Sequence, residues 1–166
     1  MTSKFPPQPM NIEPLSSLDE VLPVLTDCNL PVADISASLP PQFFGVRVAG
    51  RVIAVVGLEQ FQSSALLRSL AVSSDYRGRG LAQELVRHVE SVAALHGVES
   101  LFLLTTTAEA FFRKLGYCSA SRQQAPQAIQ ATAQFSGLCP SSSAFLSKCI
   151  KPAIPVTFCD RHPNAC

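Results

Sequence analysis

A short, basic, glycine-rich segment, Arg77–Ala82, offers the clearest chemistry in this chain. It follows the apolar run Ala65–Val72 and precedes an apolar pattern of helical spacing that starts at Leu81. A strand, a glycine-rich turn and a helix form a layout that binds phosphate, because glycines let the backbone approach an anion and the first helical turn presents free N–H groups. The segment predicts a site for a pyrophosphate-bearing cofactor. An ordinary basic turn between strand and helix is the alternative.

Two other phosphate-binding motifs do not fit this segment. The dinucleotide pattern Gly-x-Gly-x-x-Gly is absent, and no Gly-Lys-Ser/Thr of a P-loop follows. What remains is Arg77-x-x-Gly80-x-Ala82, after a strand that ends in Leu70-Ala71-Val72. This pattern resembles the acetyl-CoA signature of the GNAT family of N-acetyltransferases, usually written Gln/Arg-x-x-Gly-x-Gly/Ala.

Further segments extend the resemblance. The apolar run Ser100–Thr105 falls where the next central strand of the family belongs, and Ala108–Tyr117 resembles its Ala-x-x-Phe-Tyr-x-x-x-Gly-Phe segment. The resemblance covers roughly Phe43–Tyr117, and more weakly the remainder. The segments Leu103–Glu109 and Ala131–Ala144 resemble the branch of the family associated with arsenic-resistance operons, which is akin to amino-acid N-acetyltransferase domains.

In that family an amine attacks the thioester carbonyl of acetyl-CoA directly, and the resemblance implies the same cosubstrate here. Backbone N–H groups of the turn would bind the pyrophosphate, and backbone groups of Leu70 and Val72 would pair with the pantetheine arm. The Val72 N–H would donate to the oxyanion. The positions that the resemblance assigns to acetyl-CoA are Leu70, Ala71, Val72, Arg77, Gly78, Arg79, Gly80, Leu81, Ala82, Thr105, Phe111 and Phe112.

The general acid of the family is missing from its usual place. Many members carry a tyrosine where this chain has Phe112, and phenylalanine has no proton to donate. Thr105 replaces a frequent asparagine with a shorter hydroxyl, which we expect to meet the cofactor amide. A CoA thiol resembles cysteine, with a pKa near about 8 to 9, so its thiolate leaves readily unaided. Either water or another group then protonates it.

Three residues are candidates at the acceptor end. Glu59, at the end of the second hairpin strand, is a candidate general base acting through water, or else a solvated strand-end residue. Arg68, in an otherwise apolar strand, needs a partner if buried: either an anionic substrate group or Glu59 itself. An edge position in the sheet is the other alternative. Cys139 contacts the substrate, or a trivalent arsenical with Cys118 as companion, or is a packed small residue.

The elements that position these residues follow from periodicity. Apolar residues recur at helical spacing from Leu81 to Leu95, and Gly97 closes that helix. Ser17 and Glu20 fit a capping box at the start of an earlier helix. The other expected elements are strands at 11–15, 43–48, 52–58, 65–72, 100–105, 117–121 and 143–150, and helices ending near 28 and covering 108–115 and 126–134.

This order predicts an α/β (α+β) fold with a mixed, mostly antiparallel central sheet flanked by helices. The resemblance implies the acyl-CoA N-acyltransferase (GNAT) fold. The expected organisation is a flexible N-terminal arm at 1–9, a single domain at 10–151 and a C-terminal tail at 152–166.

Composition narrows the function classes. A net charge of +1 in 166 residues argues against a nucleic-acid partner. Neither a membrane-spanning run of about 20 apolar residues nor a signal peptide is visible, so we expect a soluble, cytoplasmic protein without a membrane partner. Six spread cysteines are typical of reduced thiols. Cys159, His162 and Cys166 have the spacing of soft metal ligands or are incidental, and no metal is assigned.

We therefore expect an enzyme, an acetyl-CoA-dependent N-acetyltransferase that acts on a primary amine of a small, amino-acid-like molecule, in the context of arsenic resistance. Members of the family often form dimers, which makes a homodimer an expectation. One alternative is a catalytically weak acyl-CoA-binding regulatory module, because Phe112 and Thr105 occupy usually polar catalytic positions. Another is a thiol-based metalloid-binding protein that uses Cys139, Cys118 and the tail.

Overall fold

The computed structural model describes residues 10–35 and 40–150. The proposed arm at 1–9 and the tail at 152–166, with Cys159, His162 and Cys166, lie outside the described residues. The elements are β1 (Ile12–Leu15), α1 (Leu18–Asp27), β2 (Gln42–Val48), β3 (Arg51–Phe61), β4 (Ser64–Val72), α2 (Leu81–Leu95), β5 (Ser100–Thr105), α3 (Glu109–Lys114), β6 (Cys118–Ser119), α4 (Gln127–Gln130) and β7 (Ala144–Cys149).

Within the described residues, seven strands form one sheet in the order β1-β2-β3-β4-β5-β7-β6. The β1–β2, β5–β7 and β6–β7 pairs are antiparallel, and the β4–β5 pair is parallel. This is the mixed, mostly antiparallel sheet with accompanying helices that the sequence predicted. The seventh strand of the described residues, β7, lies between β5 and β6, so the chain crosses back into the sheet after β6.

Of the described residues, 10–35, 40–57 and 69–88 belong to one compact unit. The predicted start of α1 after Ser17 is confirmed, but the Ser17 side chain makes no capping bond. Glu20 instead accepts a hydrogen bond from Arg47 over 2.6 Å, and Arg47 also donates to Glu13 of β1 over 2.9 Å. The capping-box prediction was wrong because a guanidinium on β2 binds the carboxylate more strongly than a backbone N–H would. The core of this unit is formed by Leu15, Val21, Val24, Leu25, Phe43, Val52, Val55 and Ala71.

Of the described residues, 58–68 and 89–150 belong to the other compact unit. The helix expected at 126–134 is interrupted: α4 ends at Gln130, and a wider π-type turn follows at Gln134–Leu138. The Thr132 hydroxyl donates to the Ile129 carbonyl over 2.7 Å and accepts from the Phe135 N–H over 3.3 Å. A side chain thus takes backbone partners that a regular helix would use. The core cluster here contains Leu66, Ala125, Ile129 and Phe145.

Helix α2 is the element best specified by the sequence. It begins at Leu81 and ends at Leu95, as predicted, and Gly97 follows with a φ of +84°. Its apolar face includes the fully buried Leu85 and Val89. No helix in the ranges 10–35 and 40–150 is long and apolar enough to cross a lipid bilayer.

Candidate cofactor site

The segment between β4 and α2 leaves open space beside its glycines. Gly78 and Gly80 have φ angles of +76° and +80°, in the left-handed region that favours glycine. A Cβ atom added at either position would meet no heavy atom within 4 Å. All of Arg77–Gly80 is exposed. A ligand group can therefore approach the backbone of this turn closely.

The open turn leads directly into the N-terminus of α2. The Glu84 N–H donates to the Gly80 carbonyl over 3.1 Å, so helical hydrogen bonding starts at the second glycine. The helix runs for 15 residues, long enough to develop a dipole with its positive end at Leu81. Open glycines followed by such a helix terminus fit an anionic phosphate group, and this fit does not depend on any side chain.

The two arginines of the turn fold back on their own segment. Arg77 Nε donates to the carbonyl oxygen of Val72 over 3.0 Å, and its Nη2 lies 3.6 Å from Cys28 Sγ. The guanidinium of Arg79 lies over the ring of Tyr76, 5.1 Å from its centroid. The guanidinium groups thus hold the shape of the turn and make its surroundings positive.

At the end of β4, some backbone N–H and C=O groups point away from β3. The Ser73 N–H donates to the Ile53 carbonyl over 2.8 Å, which fixes its direction toward β3. Because successive residues of a strand alternate, the N–H and C=O groups of Val72 and Leu70 point away from β3. The buried Ser69 has a φ of +55°, a break in the extended strand just before this stretch.

A cavity of about 390 Å³ opens beside the turn and was not foreseen from the sequence. Asp27, Cys28, Arg51, Ser73 and Arg77 are among its lining residues. The Cys28 thiol donates to the same Val72 carbonyl oxygen that Arg77 binds, over 3.5 Å. Sequence reasoning missed Cys28 because its contact with Val72 spans 44 positions and leaves no local pattern.

Arg68 and Glu59 form an ion pair. Arg68 Nη1 lies 2.7 Å from Glu59 Oε1, and the two side chains are 1% and 22% exposed. Of the two partners considered for Arg68, the structure supplies Glu59. Glu59 keeps part of its surface in solvent while the guanidinium holds its carboxylate in place.

Thr105 and the two phenylalanines lie around the start and the body of α3. Thr105 Oγ1 accepts a hydrogen bond from the Ala108 N–H over 3.0 Å, which leaves the hydroxyl proton for another acceptor. Phe112 is only 4% exposed, and its ring makes edge-to-face contacts with Phe111 at 5.0 Å and Tyr117 at 5.5 Å between centroids. Phe112 is thus a packing residue of its unit, and Phe111 lies half-buried beside it.

The cysteines considered for metalloid binding occupy different elements. Cys139 ends the π-type turn, where its N–H donates to the Gln134 carbonyl over 3.1 Å, and it is half-buried. Cys118 lies exposed on β6. In the part of the chain that the structure describes, no group of three or more His, Cys, Asp and Glu side chains is arranged to hold a metal ion.

Known proteins resemble this chain in sequence over about half its length. An amino-acid acetyltransferase of Pseudomonas fluorescens (strain Pf0-1) is 36% identical over 89 residues, which are 52% of this chain and 21% of that protein. An uncharacterised N-acetyltransferase of Chlorobaculum tepidum is 33% identical over 88 residues, 52% of this chain and 56% of that protein. The chain therefore spans only part of the length of the curated relatives it matches.

Solved structures share the fold at low sequence identity. N-acetylglutamate synthase from Neisseria gonorrhoeae, complexed with coenzyme A and N-acetyl-glutamate, superimposes with a TM-score of 0.70 at 19% identity, over 87% of this chain and 36% of that one. Tetrahymena GCN5 superimposes with a TM-score of 0.63 at 16% identity, over 87% and 99% of the two chains. The sequence model of the acetyltransferase (GNAT) family matches residues 13–117, more than half of the chain. This chain therefore belongs to the acetyltransferase (GNAT) family.

Proposed function

We propose that this chain is an acetyl-CoA-dependent N-acetyltransferase that acetylates a primary amine of a small, amino-acid-like molecule. The observation that carries the proposal is the open, positive-φ turn at Gly78 and Gly80, placed between β4 and the N-terminus of α2 in a member of the GNAT family. Relatives named amino-acid acetyltransferase support the acceptor class. The resemblance of Leu103–Glu109 and Ala131–Ala144 to the arsenic-resistance branch adds an arsenical amino acid to the acceptors that merit a test.

The cofactor half of the mechanism uses backbone groups. Acetyl-CoA, when bound, supplies a thioester carbonyl that an amine can attack. N–H groups from Arg77 to Ala82 hold its pyrophosphate, and backbone groups of Leu70 and Val72, directed away from β3, hold its pantetheine arm. The Val72 N–H donates to the carbonyl oxygen as negative charge develops there, an effect worth about 3 kcal/mol in other enzymes. Thr105 and the half-buried Phe111 complete the proposed cofactor contacts, and the buried Phe112 packs against Phe111 from within its unit.

The acceptor half relies on Glu59. Its carboxylate takes a proton from the incoming ammonium, directly or through one water, so that the amine attacks in its neutral form. Arg68 holds Oε1 of this carboxylate and acts as a positioning residue, in place of the substrate contact that the sequence also allowed. Cys139 is proposed as a contact to the acceptor. Solvent protonates the departing thiolate, because Phe112 offers no proton.

Titration calorimetry with acetyl-CoA tests the cofactor site. We expect wild-type protein to bind, Gly80→Asp to lose binding and Gly80→Asn to retain most of it. The two side chains strain a positive φ similarly, but only the aspartate repels the pyrophosphate. Gly97→Asp is the matched control, since Gly97 also has a positive φ and open space around it but lies at the other end of α2. Absence of binding by the wild-type protein would overturn the proposal.

A regulatory acyl-CoA-binding module is the second candidate. It is favoured by Phe112, which is buried against Phe111 and Tyr117 and leaves the usual acid position without a titratable group. Thiol release from acetyl-CoA in a panel of amino acids and other amines separates the two. Turnover with any amine supports the enzyme, whereas tight binding with no turnover across the panel supports the module.

A further inference from the structure

A serine hydroxyl is buried without a hydrogen-bond partner just before β7. Ser143 is 5% exposed, and its Oγ atom makes no hydrogen bond in the part of the chain that the structure describes. The backbone of this residue is satisfied, since its N–H donates to the Pro140 carbonyl over 2.9 Å. Buried polar groups without a partner are rare in folded proteins, because each costs free energy until a ligand or a water pairs with it. The Ser143 hydroxyl is therefore available to a bound group.

The Arg122 guanidinium lies against the same residue and carries a charge without a carboxylate partner. Arg122 Nη2 donates to the Ser143 carbonyl oxygen over 2.8 Å and lies 3.5 Å from the Pro140 carbonyl oxygen, and the guanidinium carbon lies 5.5 Å from the centroid of the Phe135 ring. Within residues 10–35 and 40–150, Arg122 forms no ion pair, and its Nε and Nη1 make no hydrogen bond. Neutral carbonyl groups and an aromatic ring thus hold this half-buried guanidinium in place without balancing its charge.

The strand register places Ser143 at the end of β5 from which the chain enters α3. Ala144, the residue directly after Ser143, pairs with Thr105, the last residue of β5. Thr105 is one of the proposed contacts to acetyl-CoA and belongs to the same compact unit as Arg122 and Ser143. An unpartnered hydroxyl and an unneutralised guanidinium thus lie next to a residue assigned to the cosubstrate.

We propose that Arg122 and Ser143 bind the carboxylate of the acceptor amino acid and set a preference for amino acids over uncharged analogues. The inference rests on the proposed function and specifies its acceptor. Arginine binds carboxylates through charge-assisted hydrogen bonds, and Arg122 has five N–H donors, of which the two carbonyl oxygens use only those of Nη2. The anionic contact that the sequence allowed for Arg68 thereby falls to Arg122, since Arg68 binds Glu59.

The Ser143 hydroxyl supplies an additional donor to the same carboxylate. Rotation about the Cα–Cβ bond turns the hydroxyl toward the ligand, and this motion breaks no hydrogen bond of the described residues because the hydroxyl makes none there. The bound carboxylate also balances the guanidinium charge. A ligand without that charge would leave both groups as they are, so the site discriminates against it.

Matched acceptors test the carboxylate contact. Thiol release from acetyl-CoA is measured with each standard L-amino acid and with its α-carboxamide, which keeps the shape of the acceptor and removes the negative charge. For at least one amino acid, we expect the wild-type kcat/KM to exceed that of its amide by about 100-fold, because the amide forms no charge-assisted bond with Arg122. The amide has the less basic amine, which favours its attack, so the comparison is biased against the expected result.

Two variants separate recognition from folding. Arg122→Met should lower kcat/KM for the amino acid by about 100-fold and leave that for the amide unchanged, and Arg122→Lys should restore part of the loss. Ser143→Ala should raise the KM for the amino acid by about tenfold without lowering the free energy of unfolding, because it removes a buried hydroxyl that has no partner. Titration calorimetry of the amino acid into protein saturated with coenzyme A checks both changes without turnover.

The controls are matched to each variant. Arg113→Met removes a guanidinium that Glu109 already binds, and Ser142→Ala removes the exposed hydroxyl next to Ser143. Both should behave like the wild-type protein. The inference would be overturned by turnover of no amino acid, by equal kcat/KM for amino acids and their amides, by a wild-type ratio in Arg122→Met or by a wild-type KM in Ser143→Ala. Equal turnover of acids and amides would leave the acetyltransferase function intact, whereas only a failure of the wild-type protein to bind acetyl-CoA would overturn that function as well.

Discussion

Arg68 of β4 donates to the carboxylate of Glu59 on β3, with Nη1 and Oε1 2.7 Å apart. The guanidinium is buried while the carboxylate reaches solvent on one side. A charge so far from water is tolerated only with a partner of opposite charge, because desolvation costs several kcal/mol. Glu59 therefore has a structural task in addition to the proposed catalytic one, and the two are measurable separately.

Glu59→Gln should lower the free energy of unfolding by about 3 kcal/mol, since it removes the carboxylate that binds Nη1 of the buried Arg68 guanidinium. Urea denaturation followed by circular dichroism measures this. Glu84→Gln is the control, because the Glu84–Arg87 pair on α2 is exposed and such pairs contribute about 0–1 kcal/mol. Equal losses in the two variants would contradict the importance of burial for the Arg68 pair.

Glu59→Gln should also reduce kcat/KM by about 100-fold near neutral pH, if Glu59 is the general base. The deficit should shrink as the pH approaches the pKa of the acceptor amine, because the amine then arrives neutral and needs no base. Steady-state rates across that pH range, at a temperature where the variant is folded, measure this. Arg68→Lys is the comparison, since it keeps the carboxylate and should cost far less. A wild-type pH profile in Glu59→Gln would make Glu59 a structural residue only.

Because of Tyr117, the free energy of unfolding should decrease as the pH becomes alkaline. Burial, the Glu90 charge and the hydrogen bond from its hydroxyl to Glu90 raise the pKa of Tyr117 far above its ordinary value of about 10. The folded state thus keeps its proton after the unfolded state has lost it. The contribution is complete below pH 10 and declines as the pH rises above that value. Tyr117→Phe removes this dependence.

Chemical denaturation at pH 9 and pH 11 measures the effect of Tyr117. The wild-type protein should lose more stability over this interval than Tyr117→Phe. Lys148, which binds Glu90 over 3.0 Å, is present in both proteins and is therefore not the difference between them. An equal loss of unfolding free energy between pH 9 and pH 11 in the two proteins would contradict the role assigned to Tyr117.

Elements set by local chemistry were predictable from the sequence. The apolar spacing from Leu81 to Leu95 and the run Ser100–Thr105 gave α2 and β5 with the bounds that the structure has. Thr132 shows where local reasoning fails, since good helix formers surround it and yet its hydroxyl takes the backbone partners that a helix would need. Propensity cannot anticipate which of two local hydrogen-bond patterns the packing will favour.

Features that depend on contacts between distant residues could not be predicted from the sequence. The place of β7 between β5 and β6, and the contact of Cys28 with the Val72 carbonyl, depend on residues brought together only by folding. The positive φ of Ser69 is a further case, because serine gives no sign of a left-handed backbone inside a strand. The positive φ angles of Gly78 and Gly80 were predictable from the sequence, because glycine favours this conformation.

Arg77→Gln should weaken acetyl-CoA binding by about tenfold, equivalent to about 1.4 kcal/mol. The variant loses the positive charge beside the proposed pyrophosphate site. It also loses the charge-assisted hydrogen bond from Arg77 Nε to the Val72 carbonyl oxygen, which stabilises the turn. Its binding should also depend less on salt, because one positive charge near an anion is gone. Calorimetry at two salt concentrations measures both effects. Arg87→Gln, on the exposed side of α2, is the matched loss of one guanidinium and should bind like the wild-type protein. Unchanged affinity in Arg77→Gln would show that the Arg77 side chain does not contribute to phosphate binding. The phosphate site would then consist of the backbone of the turn and the N-terminus of α2.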